Sequence, residues 1–335
     1  MNLSTLLGLL IILISGILNA SFALPMKRFR HWKWENSWLG FTFLTLFLMP
    51  LVLGLILVPD LFHIYSVSPG IDFLPAVLFG FLWGTAQVTF GLAIPMVGMA
   101  MAFAIVIGMC AFFGSVFPMM VFHPEDMLAR PGILLLLSAL ILAAGLTLYA
   151  LAAHRREADT RKTVEQKNFN RGMWICIYTG ITGGMINFGF AFSGALVERT
   201  MSAGISRQSA NFSVWPVVLL SAFIPNLLYC VYLLRKNSTT RCFRLSWPRE
   251  SLLACLMAFF WLSSTFGYGI GATTMGPYGT SIGFAVFNTI IVLGSTIMGL
   301  LTGEWRGVAP ATLRRMYAGI ALILLSTAVL GAALG

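Results

Sequence analysis

Charge is what this sequence has least of. Only 10% of its 335 residues are Asp, Glu, Lys or Arg, while 58% are hydrophobic. A soluble domain carries about 25% charge, so a soluble globular fold is excluded. None of the long apolar runs holds Asp, Glu, Lys, Arg or His away from its ends, so the ionisable group that ordinarily marks a proton relay at mid-depth is missing. Catalytic motifs are missing as well. There is no GxxxxGKS loop, no HExxH helix and no Ser/His/Asp set, and the four histidines (His31, His63, His123 and His154) all fall in loops. No enzyme activity, cofactor or metal site is therefore expected. Five cysteines are present, but none has metal-ligand spacing or a disulfide partner: Cys110, Cys176, Cys230 and Cys255 lie in apolar runs and Cys242 in a basic loop. They read as packing residues. No alternating β-barrel pattern is present. The first apolar run has no basic residue before it and a basic cluster after it, so a cleavable signal peptide is not expected.

What the sequence does contain is apolar helix. A bilayer crossing takes about 20 apolar residues, and ten such spans are predicted, at 3–24, 37–58, 73–95, 97–122, 132–153, 172–195, 212–234, 251–271, 279–302 and 316–334. The third and fourth are parted only by Pro95–Gly98. This stretch, Phe81–Val106, recurs as Phe259–Phe287: Trp83 falls on Trp261, Gly91 on Gly269 and Gly98 on Gly276, all at an offset of 178. Gly16, Asn19, Phe22 and Ala23 likewise match Gly184, Asn187, Phe190 and Ala191 at an offset of 168, and Asn36 and Pro50 match Asn211 and Pro225 at 175. Three blocks in one order point to an internal repeat. Residues 1–153 are read as a first five-helix repeat, 154–171 as a linker and 172–335 as a second repeat. An odd number of spans per repeat makes the second enter the membrane from the opposite side, the inverted plan of many secondary transporters.

The net charge of +10 would suggest nucleic acid in a soluble domain. Here the basic residues sit in short loops beside spans, so they read as a topology signal and no nucleic-acid partner is expected. Eighteen of the 21 lysines and arginines follow spans 1, 5, 7 and 9, and the other side holds only Arg130, Arg199 and Arg207. The positive-inside rule makes the first side cytoplasmic, placing both termini on the periplasmic side of a bacterial inner membrane.

Within the spans, the chemistry available is neutral. Asn19 and Asn187 are repeat-related, Gln87, Asn226 and Asn288 lie in spans 3, 7 and 9, and Tyr268 lies in span 8. A buried amide costs several kcal/mol unless paired. Each is either a helix–helix hydrogen bond, worth about 0.6–2 kcal/mol in a membrane, or a ligand contact. A carboxamide offers both donor and acceptor, which suits a ligand rich in hydroxyls. Trp83 and Trp261 offer flat faces for a sugar ring, with core packing as the alternative. Glu198 is the acidic residue nearest the membrane interior on the outward side. It reads either as an interfacial ion pair with Arg199 or as a proton-binding carboxylate.

The stretches PMKRFRHWKWENSW at 25–38, LPAVLFGFLWG at 74–84, MAMAFAIVIG after Gly98, GPYGTSIGFAVF at 276–287 and LLTGEW at 300–305 resemble, in order and spacing, the bacterial L-rhamnose–proton symporter family of the drug/metabolite transporter superfamily. The resemblance covers essentially the whole chain. It implies uptake of a deoxy sugar with a proton, and a central cavity lined by spans 1–4 and 6–9, with spans 5 and 10 peripheral. Glu198 and Asn226 fall on Glu and Asn of that family, whereas Gly194 stands where the family has Lys and Asn288 has a different polar setting. These departures bear on the sugar more than on the mechanism.

The expected fold is thus an all-α integral membrane protein of ten helices in two inverted five-helix repeats. The expected function is proton-coupled uptake of a small sugar by alternating access. Asn19, Gln87, Asn187, Asn226 and Asn288 would hold hydroxyls, Trp83, Trp261 and Tyr268 would line the cavity, and Glu198 would couple the proton. The partners would be the sugar, the proton and the lipid bilayer. A facilitator or exporter of another metabolite on the same fold stays open, as does a membrane scaffold or sensor.

Overall fold

The computed structural model describes residues 3–97, 99–158, 169–301, 305 and 307–333. Most of the expected linker, and Gly98 between spans 3 and 4, lie outside the described residues. Every regular element among those described is helical. The membrane-length helices are α1 (Leu3–Ser21), α2 (Trp34–Leu57), α3 (Gly70–Val97), α4 (Met99–Phe122) and α5 (Arg130–Ala158). There follow α6 (Phe169–Gly183), α7 (Met185–Ala191) and α8 (Gly194–Ser202), and then α9 (Val214–Lys236), α10 (Trp247–Met275), α11 (Ile282–Leu301) and α12 (Pro310–Ala333). Among the described residues nine stretches are long and apolar enough to cross a membrane, one of them running from α6 through α8, and a shorter apolar stretch covers Ile282–Met298 in α11. The chain is a multi-pass helical membrane protein.

Two of the expected spans are irregular. In α2, Phe43–Leu48 is π-helical, and the Met49 N–H donates to Leu44 O, five residues back. Pro50 follows. Its ring would meet the carbonyl of Leu46 in a regular helix, and the wider turn accommodates it. The expected sixth span is broken twice, at Gly184 and at Phe192–Ser193, so that Glu198 falls in a separate helix, α8.

The helices group into two compact units. One comprises Met1–Ala20, Thr89–Gly184 and Gly271–Gly335, and the other comprises Ser21–Val88 and Met185–Ile270. Each draws on both halves of the sequence. In the first, α5 packs on α12 through Gly145 and Gly319, whose missing side chains let each backbone touch the other's helix. Ala111, Leu142, Leu146, Val292 and Ile323 fill the neighbouring core. In the second, α3 meets α9. A Cβ on Gly80 would lie 2.3 Å from Val218 O, and one on Gly84 would lie 2.4 Å from Ala222 O. Small residues four apart permit this backbone approach in lipid, where packing rather than a hydrophobic driving force joins helices.

Candidate functional site

The glycine contact of α3 with α9 continues one turn further as a polar contact. Asn226 is fully buried. Its Nδ2 lies within hydrogen-bond distance of Gly84 O (3.2 Å), Ala222 O (3.0 Å) and Gln87 Oε1 (2.9 Å), three acceptors that share its two N–H groups. Its Oδ1 accepts from Trp38 Nε1 at 2.9 Å. Trp38 stacks on Trp34 at 5.4 Å and leans on Phe41 at 5.3 Å. Asn226 thus has both ends of its carboxamide engaged by protein. Gln87 is half-buried, and no described residue takes a bond from its Nε2.

Around this group the same unit holds four more of the predicted site residues. Trp83 and Trp261 stack on each other at 5.7 Å and 21° and are both buried. Each therefore covers a ring face of the other, and Phe41 meets Trp261 edge-on at 6.2 Å. Asn187 on α7 is buried and accepts a hydrogen bond from the Tyr268 hydroxyl of α10. Tyr268 also meets Phe190 edge-on, and Phe190 stacks on Trp215 at 5.1 Å. The predicted aromatic and amide residues Trp83, Gln87, Asn187, Asn226, Trp261 and Tyr268 accordingly share one compact unit.

Asn19 and Asn288 belong to the other unit. Asn19 is half-buried on α1. Asn288 is buried on α11, where its Nδ2 donates to Phe284 O at 2.9 Å and its Oδ1 lies 4.0 Å from Cys110 Sγ. At one end of this unit Tyr278 donates to Asp126 at 2.8 Å, which together with burial raises the phenol above its usual range. His123 Nε2 stands 3.1 Å from Pro277 O.

Glu198 is exposed on α8, which buries Leu196, Val197 and Thr200 on its other face. The Glu198–Arg199 ion pair, one of the two readings of Glu198, is not the one observed: Arg199 Nε pairs with Asp72 at 2.7 Å, tying α8 to the first turn of α3.

This is the setting in which comparison with known proteins decides the family. A family model described as L-rhamnose-proton symport protein (RhaT) matches residues 1–335. The chain belongs to the L-rhamnose-proton symport protein family. Relatives named L-rhamnose-proton symporter include one from Cronobacter sakazakii, 24% identical over 333 residues, covering 97% of this chain and 96% of the relative. Others are from Yersinia pestis, 24% identical over 339 residues, and from Enterobacter sp., 23% identical over the same length, each covering 99% of this chain and 98% of the relative. The family is one of transporters rather than enzymes.

Within this symport family frame, sequence reasoning missed three contributors. Trp38, the last residue of the 25–38 motif, meets Asn226 with its indole N–H. Asp72, at the start of α3, has a side chain only 10% exposed and holds Arg199. Glu250, which is completely buried, accepts the backbone N–H of Arg30 and the guanidinium of Arg249. Glu35 ties down the loop after α9: it accepts from Asn237 (3.1 Å) and Thr239 (2.6 Å).

Proposed function

We propose that this chain carries L-rhamnose, or a related deoxy sugar, together with a proton across the bacterial inner membrane, working inward by alternating access. The observation that carries the reading is the match of the symporter family along the entire chain, joined to a set of carboxamides and aromatics in an otherwise apolar helix bundle. Polar side chains in lipid-embedded helices are costly. Among the described residues nothing accepts from the Gln87 Nε2, which leaves donors of the kind a hydroxyl-rich ligand requires.

In this reading Gln87 and Asn187 of one unit bind hydroxyls, with Asn226 behind Gln87, and Asn19 and Asn288 are the hydroxyl-binding candidates of the other unit. Trp83, Trp261 and Tyr268 form the aromatic wall. Glu198, exposed on an outward-lying helix beyond the break at 192–193, takes the proton. Residues 1–153 and 172–335 act as inverted repeats joined by a cytoplasmic linker at 154–171, with both termini periplasmic. The lack of a mid-depth carboxylate in the spans favours a second reading, a facilitator or exporter of another small metabolite on the same fold.

Purified protein titrated with a panel of sugars tests the assignment. A ligand at one hundred times its Kd stabilises the folded state by about 2.7 kcal/mol. L-Rhamnose or a close relative should raise the unfolding temperature where glucose and unrelated metabolites do not. Stabilisation by a non-sugar metabolite alone would refute the sugar assignment.

A further inference from the structure

We propose that Gln87 is a specificity-determining residue that offers only N–H groups to the ligand, and that Asn226 is the positioning residue that makes it so. The inference rests on the transport reading above and assigns the polarity of one subsite within it.

The argument starts at Trp38. An indole nitrogen only donates, so the Asn226 atom 2.9 Å from Trp38 Nε1 has to be the carboxamide oxygen. The other end of the same carboxamide faces Gly84 O and Ala222 O at 3.2 and 3.0 Å, and carbonyls only accept. Both ends therefore agree, and the ambiguity that usually attends an amide's orientation is removed. Asn226 then presents an N–H to Gln87 at 2.9 Å, and the Gln87 atom that meets it is the oxygen. Turning Gln87 over would set two donors against each other. Its Nε2 is consequently the end left over, on a half-buried side chain.

The ligand group at this subsite has to bring an acceptor oxygen. A sugar hydroxyl or ring oxygen qualifies, and so, weakly, does fluorine. A ligand group that can only donate is rejected. Asn226, with its whole carboxamide taken up by protein, supports Gln87 without touching the ligand.

Two arms test this. The first needs no ligand. Gln87→Glu keeps an oxygen toward Asn226 but half-buries a charge, so only its coupling to Asn226 reads the orientation: it should lower the unfolding temperature less with Asn226 present than in the Asn226→Ala background. If Gln87 were turned the other way, Gln87→Glu would set a carboxylate against an acceptor. A larger fall with Asn226 present than in the Asn226→Ala background would overturn the proposal. The second arm measures binding of L-rhamnose analogues in which single hydroxyls are replaced by hydrogen or by fluorine. At one ring position the wild-type protein should bind the fluoro analogue more tightly than the deoxy analogue, by up to about tenfold, the range of one hydrogen bond. Gln87→Glu should invert that preference and Asn226→Ala should erase it, leaving the other ring positions unchanged. An unchanged preference in either variant would overturn the proposal. A wild-type protein that binds no member of the panel would refute the transport reading instead, and the first arm would still decide how Gln87 is turned.

Discussion

At Asn226 an indole N–H from α2, two backbone carbonyls and the Gln87 oxygen converge on one side chain that water does not reach. Removing one partner from such a group costs about 1–3 kcal/mol, because the other is left desolvated and unpaired. Trp38→Phe keeps an aromatic ring against Trp34 and Phe41 but takes away the donor, and it should lower thermal stability by that order. An unfolding temperature equal to wild type would show that the oxygen finds another partner. The carboxamides were legible in the sequence because any amide is conspicuous in an apolar run. Trp38 was not, since tryptophan is common in membrane proteins for other reasons and its partner lies 188 positions away. Glu198 presents the opposite case: it stood out in the sequence, and the structure places it on an exposed helix face. If it takes the coupling proton, Glu198→Gln should abolish accumulation driven by a pH gradient while leaving sugar binding and counterflow exchange intact. Accumulation at the wild-type level with its pH dependence unchanged would move the proton elsewhere.

Elements meet in this bundle where side chains are absent. The approach of α3 to α9 is set by Gly80 and Gly84, and it brings Gln87 within reach of Asn226. Gly84→Ala would place a carbon 2.4 Å from Ala222 O and 2.8 Å from Pro225 Cγ, forcing the helices apart. It should lower the unfolding temperature and weaken ligand binding together. Gly194, where an added Cβ meets nothing within 4 Å, supplies the control: Gly194→Ala should be neutral or slightly stabilising, since alanine is the better helix former. Equal behaviour of the two variants would contradict the packing account. Span positions were readable from hydropathy alone, because lipid imposes a length on every crossing. The π turn at Phe43–Leu48 and the break at Phe192–Ser193 were not readable. Proline in lipid-embedded helices is compatible with several local adjustments, and neither Phe192 nor Ser193 is a helix breaker.

At the scale of the molecule, the order of motifs identified the family while the grouping of helices stayed hidden. Repeats are read along the chain, whereas a compact unit collects whichever helices pack together, and each unit here draws on both halves. The orientation rests on loop charge. With eighteen basic residues on one side against three on the other, a C-terminal reporter that is active only in the cytoplasm should be silent, and an active one would overturn the assignment of both termini.

Coupling between proton and sugar is the central claim, and reconstituted vesicles test it most directly. Purified protein is placed in liposomes, a pH gradient is imposed with the interior alkaline, and radiolabelled L-rhamnose is followed. The account predicts accumulation above the external concentration that collapses when a protonophore dissipates the gradient. Equilibration of L-rhamnose to the external concentration, at a rate indifferent to the gradient, would contradict it.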